Sequence, residues 1–220
     1  MGKAFSKVVT RMTICAGVLL LLAAGAVLIY GLADDYYAGQ RAQNLLEQVH
    51  NNGWEQPVHS GPAPRISLST RYASALAHEN DSPDAEETDA ELADNAVIGI
   101  LEIPKLNKSL PILNKSTYAM LDISVCRYTG SIDSKPNRLV ISGHNYRSHF
   151  GELTTLEIGD EILITTVDGQ TFRYSVISFE VCHMYDPDAV QEGDDWDVTL
   201  LTCRKNRAMR TLVRLKEIAD

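Results

Sequence analysis

Residues 161–182 read EILITTVDGQTFRYSVISFEVC, and their pattern decides the fold class. Asp168-Gly169 separates two runs rich in Ile, Val, Thr and aromatics, and both residues tolerate the positive φ that a tight primed turn demands. Segments 161–166 and 171–182 are therefore expected to pair as an antiparallel hairpin. β-Branched and aromatic side chains fit a pleated, half-buried surface better than a helix, which reinforces the assignment.

The same texture extends outward from the hairpin over residues 96–220. Short apolar runs fall at 97–103, 110–113, 138–143, 199–203 and 210–218, with turn residues between them. Pro104 closes the first run, where its missing N–H is tolerated. No stretch of 10 to 15 residues in this region carries a helical stripe, and a single turn near 118–123 is the exception. The fold class is all-β. A closed barrel is preferred to an open sheet because several of these strands are apolar on both faces.

The rest of the chain is of a different nature. Residues 12–32, MTICAGVLLLLAAGAVLIYGL, hold no charge, and as a helix they would cover about 30 Å, the hydrocarbon thickness of a bilayer. Lys3, Lys7 and Arg11 precede the run and Asp34 and Asp35 follow it, so the positive-inside rule predicts a cytoplasmic tail at 1–11, one transmembrane helix at 12–32 and an extracellular remainder. A cleaved signal peptide is the competing reading, but its apolar stretch is usually shorter. Residues 33–95 carry three basic and twelve acidic side chains, with seven acids between 81 and 95, and are expected to form a flexible acidic stalk. A short helix around Asn44, Leu45 and Leu46, stopped by Asn52-Gly53, is expected near its start.

The net charge of −9 belongs to this stalk, since the tail and anchor carry +3 and residues 96–220 carry −3. Nucleic acid is an unsuitable partner, because affinity for its backbone comes from clustered Lys and Arg. At 45% apolar and 22% charged residues the chain is neither wholly disordered nor a disulfide scaffold.

Four cysteines occur, at 15, 126, 182 and 203, and no two have CxxC spacing, so neither a zinc site nor another cofactor is expected. Cys15 falls in the apolar run. An odd number outside a membrane leaves at least one free thiol, and Cys126 and Cys182 are either bridged or simply small buried residues. Cys203 ends the apolar run Thr199-Leu200-Leu201-Thr202 and precedes Arg204 and Lys205, a position that favours a thiolate. His144 follows the run 138–143 directly, within Ser142-Gly143-His144-Asn145. Arg210 opens the last run, within reach of Cys203 across a hairpin, and its fork of five donors suits an oxyanion or a substrate carbonyl. Arg207 and Arg214 are the other arginines nearby, and His149 reads as a surface residue of the loop after His144.

Taken together, TLLTC at 199–203, SGHN at 142–145, Arg-Thr-Leu-Val from Arg210 and the opening strand IGILEIP at 98–104 resemble the sortases, cysteine transpeptidases of Gram-positive bacterial surfaces. The resemblance covers about residues 97–220. It implies an eight-stranded barrel with Cys203 as nucleophile, His144 as general acid and base, and Arg210 as the functional arginine, with Thr202 and Asn145 touching substrate. It further implies cleavage of an LPxTG-like sorting signal in a secreted protein through a Cys thioacyl intermediate, and transfer to an amine of a peptidoglycan precursor or another acceptor.

His144-Asn145 followed by Phe150-Gly151-Glu152-Leu153 is similar to class B. The short connection at 184–197 has class A or D proportions, and the lack of a C-terminal apolar segment speaks against class C. An L,D-transpeptidase or papain-like protease fits poorly, because the order and neighbours of Cys and His differ. The non-enzymatic alternative is a stalked, membrane-anchored β-domain that binds cell-wall components.

Overall fold

The computed structural model describes residues 2–51, 96–131, 139–186, 188–191, 195–204 and 208–218. They divide into two compact units, Met1–Tyr37 and Ala38–Asp220. Helix α1 (Gly2–Asn51) supplies the whole of the first unit and the beginning of the second. Within the first unit Leu19, Leu20, Leu21, Leu22, Val27, Leu28 and Ile29 are all exposed, and the helix is long and apolar enough to cross a membrane.

The second unit is a closed barrel of eight strands, as expected from the hairpin and its neighbours. The strands are β1 (Val97–Ile103), β2 (Lys108–Leu113), β3 (Val125–Thr129), β4 (Leu139–Gly143), β5 (Glu161–Thr166), β6 (Thr171–His183), β7 (Val198–Cys203) and β8 (Met209–Glu217). Around the barrel they run β1-β2-β3-β4-β7-β8-β6-β5. Among the described residues only β2/β3 and β4/β7 pair in parallel. Two short helices, α2 (Tyr118–Leu121) and α3 (Asp188–Gln191), fill connections, and α2 is the turn expected near 118–123. Thr117 caps it, its side chain accepting from the Met120 N–H.

The β5–β6 hairpin forms around Asp168-Gly169, and Gly169 takes φ +82° there. Of the eight strands, β3 alone had no counterpart among the apolar runs. Its five residues, VCRYT, include an Arg and are only half buried, and its pairing with β2 and β4 decides its conformation.

The barrel interior is filled by Leu101, Ile103, Ile112, Ile141, Tyr174, Val176, Leu200, Val213 and Leu215, among others. Burying each such side chain contributes about 1.5–3 kcal/mol. Along β6 the inward residues are Tyr174 and Val176 until a bulge between Val176 and Ser178 shifts the register against β8. Beyond it Ser178, Glu180 and Cys182 stand opposite Arg214, Leu212 and Arg210, and so share their outer face. One extra residue thus re-aims the far half of β6.

The expected stalk needs correcting at its start. α1 does not stop at the end of the apolar run but continues to Asn51, and Ala38, Ala42, Leu45, Leu46 and Val49 are buried. These positions recur at helical spacing, and Leu45, Leu46 and Val49 pack with Val97, Ile100, Leu113, Met120, Ile123 and Cys126 of the barrel. Local sequence reveals the helix, but the stripe acquires its meaning only from the apolar patch it covers. The acidic run 81–95 lies outside the described residues.

Candidate active site

Strand register assembles the site. Gly143 at the end of β4 pairs with Thr202 of β7, so His144 and Cys203 are the next residues of two parallel neighbours and leave the sheet at the same end. On the other side of β7, Cys203 stands directly opposite Arg210 of β8. Directly opposed residues carry Cβ atoms about 4.5–5.5 Å apart on one face. Cys203, His144 and Arg210 therefore stand at one end of β4, β7 and β8, from positions up to 66 residues apart in sequence. All three are partly buried, between the exposed loops and the filled interior.

Local packing explains the SGHN sequence. A Cβ at Gly143 would come within 2.7 Å of the Phe150 ring and 3.0 Å of Val125, so no larger residue fits before His144. Ser142 is tied through its hydroxyl to Cys126 O. After His144 the loop folds back: the Phe150 N–H donates to His144 O, and the Gly151 N–H to Tyr146 O. This fold-back carries His149 inward, where it is fully buried. The expectation of a surface His149 is thereby corrected: the turn in which the His149 N–H donates to Tyr146 O, followed by buried Phe150, places its side chain inside. The Tyr146 ring lies 4.9 Å from that of His144.

Thr202 is buried, and its hydroxyl donates to Gly143 O at 2.9 Å, so this side chain joins the two strand ends that carry Cys203 and His144. Asn145 is exposed beside His144. Cys126 and Cys182 are free thiols packed in different apolar clusters, which settles their alternatives in favour of small buried residues. Burial pushes the Cys126 thiol up to about 12. Cys182 is raised mainly by burial and also by Asp186, against the opposing influence of Arg214 and Arg210. Neither is suited to be a nucleophile near neutral pH.

The arginines separate cleanly. Arg214 has 2% side-chain exposure and is fully engaged: Nη2 lies 2.9 Å from Glu180 Oε2, Nη1 donates to Val190 O at 3.0 Å and to Thr199 Oγ1 at 2.8 Å, and the guanidinium stacks 4.4 Å from the Trp196 ring centroid. It fastens α3 and its flanks to the sheet. Arg207 lies outside the described residues, and Arg210 is the one opposite Cys203.

Sequence reasoning missed Asp122. Its Oδ1 lies 3.1 Å from His144 Nε2. An acid at the end of a one-turn helix, 22 residues before the histidine, gives no local signal of this contact.

A closed eight-stranded barrel in this strand order, with Cys, His and Arg gathered at one end of three adjacent strands, defines a cysteine-transpeptidase scaffold. The chain belongs to the sortase family: the family model for the Sortase domain matches residues 101–218. Among curated relatives, Sortase A of Bacillus anthracis is 25% identical over 196 residues, covering 84% of each chain. A Clostridium perfringens sortase C solved with the C-terminal cell wall sorting motif is 26% identical, covers 68% of this chain and 85% of its own, and superposes with a TM-score of 0.53. Sortase A from Corynebacterium diphtheriae shares the fold at 22% identity and a TM-score of 0.52, covering 90% of this chain and 96% of its own. The likeness spans sortases A and C, so the barrel alone does not set the class.

Proposed function

We propose that this sortase cleaves an LPxTG-like sorting signal and transfers the new carboxyl end to an amine of the cell wall. Cys203 is the nucleophile, His144 the general acid and base, and Arg210 the group that holds the oxyanion. The observation that carries the reading is the double register, Gly143 with Thr202 and Cys203 with Arg210, which brings these side chains to one end of the sheet.

In the first half-reaction the Cys203 thiolate attacks the scissile carbonyl. The charge that develops on oxygen is met by the Arg210 fork, a stabilisation felt mainly in the transition state. The C–N bond then breaks as His144 gives a proton to the departing amine, leaving a thioester on Cys203. In the second half-reaction an acceptor amine attacks that thioester, His144 removes its proton, and the thiolate is released. Thr202 supports this by locking the strand ends together, and Asn145 is exposed at the substrate side.

The apolar half of α1 is read as a single membrane anchor with the tail 1–11 in the cytoplasm and the barrel outside, where secreted proteins and wall precursors are met. Support for a sorting-signal substrate comes from family membership and from the relative solved with such a motif.

The test is a peptide-library cleavage assay on the full chain in detergent with an amine acceptor present. Motif-dependent transpeptidation and a peptide adduct on Cys203, seen by mass spectrometry, are expected. Absence of both for every motif, with Cys203 no more reactive than an ordinary thiol, would favour the wall-binding domain instead.

A further inference from the structure

We propose that Asp122 is a positioning residue for His144, fixing which imidazole nitrogen carries the proton. The proposal rests on reading His144 as the general acid and base. Asp122 Oδ1 is 3.1 Å from His144 Nε2. A carboxylate can only accept a hydrogen bond, so in the neutral imidazole the hydrogen sits on Nε2 and the lone pair on Nδ1. Nδ1 is then the atom that takes a proton from the incoming amine and returns one to the leaving amine, while Nε2 keeps its hydrogen throughout.

Such a role needs a carboxylate that does not wander, and the backbone around Asp122 is held from several sides. Its N–H bonds back to Tyr118 O at 3.1 Å, and Met120 and Ile123 beside it are buried under Leu45, Leu46 and Val49 of α1. From the same stretch of helix, Arg41 Nε donates to Asp122 O at 2.8 Å.

The histidine side is held by the same helix. Gly39 of α1 lies so close to the loop after His144 that a Cβ there would come within 3.0 Å of Ser148 Cβ. Residues 39–49 therefore brace both partners, the turn that carries Asp122 and the loop that continues from His144. The Asp122 side chain is itself 44% exposed and, among the described residues, has His144 as its ion-pair partner, so orienting His144 is the work its position allows.

The experiment compares the full chain in detergent with Asp122→Ala, Asp122→Asn and Arg41→Ala. Asp122→Ala is expected to lower kcat about tenfold with KM for a sorting-signal peptide changed less than about twofold, because general acid–base catalysis is typically worth 10²–10⁴ and misorientation loses part of it. Asp122→Asn, whose Oδ1 still accepts, should recover most of that loss. Arg41→Ala should give a smaller loss of about threefold, again in kcat.

Nitrogen-15 NMR of neutral His144 supplies the readout that a merely structural role would not move. The Nε2–H tautomer should dominate in the parent and in Asp122→Asn and become mixed in Asp122→Ala. Unchanged kcat and an unchanged tautomer in Asp122→Ala would overturn the proposal. A parent chain that processes no sorting peptide would instead remove the reading of the site, while the tautomer measurement would still decide whether Asp122 orients the ring.

Discussion

Arg210 and Arg214 stand four residues apart on one face of β8 and live in different worlds. Arg214 is enclosed by Glu180, Thr199, Trp196 and the carbonyls of Ala189 and Val190. Arg210 lies at the strand end, partly exposed, opposite the Cys203 thiol. The contrast teaches that a charged side chain is assigned to structure or chemistry by what surrounds it. At one end of β8 the Arg214 fork is spent on holding β6, β7 and their connection together, and at the other Arg210 stays partly exposed opposite Cys203.

Five substitutions would break or sharpen that contrast, and the largest effect is expected at the chemical end. Cys203→Ala should remove transpeptidation and the peptide adduct completely while leaving the melting temperature close to that of the parent, read by differential scanning fluorimetry. Next, Arg210→Ala should lower kcat/KM by about 10²–10³, the usual loss for an oxyanion donor. Arg210→Lys should recover little of it because a single ammonium cannot reproduce the planar fork.

At the structural end the order of effects on activity and stability reverses. Arg214→Ala strips the partner from Glu180 and leaves Thr199 and two carbonyls without their donor, so unfolding free energy should fall by about 3 kcal/mol, measured by urea titration. Glu180→Gln gives the smallest change, under about 1 kcal/mol, because the Glu180 side chain is 46% exposed and water screens the pair. An Arg214→Ala chain as stable as the parent but inactive would show that the two ends had been assigned the wrong way round.

The parts legible in the sequence share a short range. The Asp168-Gly169 hairpin, the edges of seven strands and the apolar run in α1 each depend on neighbours within about ten residues, and each is found in the structure. TLLTC and SGHN were legible as motifs through their resemblance to the sortases, since a cysteine at a strand end and a histidine after a glycine are weak signals by themselves. Strand β3 was not, because VCRYT gains its conformation from β2 and β4 rather than from its own pattern. His149 reads as a surface residue of its loop, and only the closure of 144–151 turns it inward. The helical stripe of residues 38–49 was invisible as a contact surface until the apolar patch around Met120 and Ile123 was assembled beneath it.

What the sequence determined by itself was the division into an apolar helix and a β domain, and the residue types available for chemistry at Cys203, His144 and Arg210. Turn chemistry, hydrophobic patterning and charge act locally, so these follow without knowledge of the fold. The tertiary structure alone decided that β4 lies beside β7 in parallel, that the bulge in β6 brings Cys182 and Glu180 to the outer face, and that Asp122 reaches His144. Those are relations between residues distant in sequence. Register and closure of the barrel fix them, because a shift of one residue would turn every side chain of a strand to the opposite face.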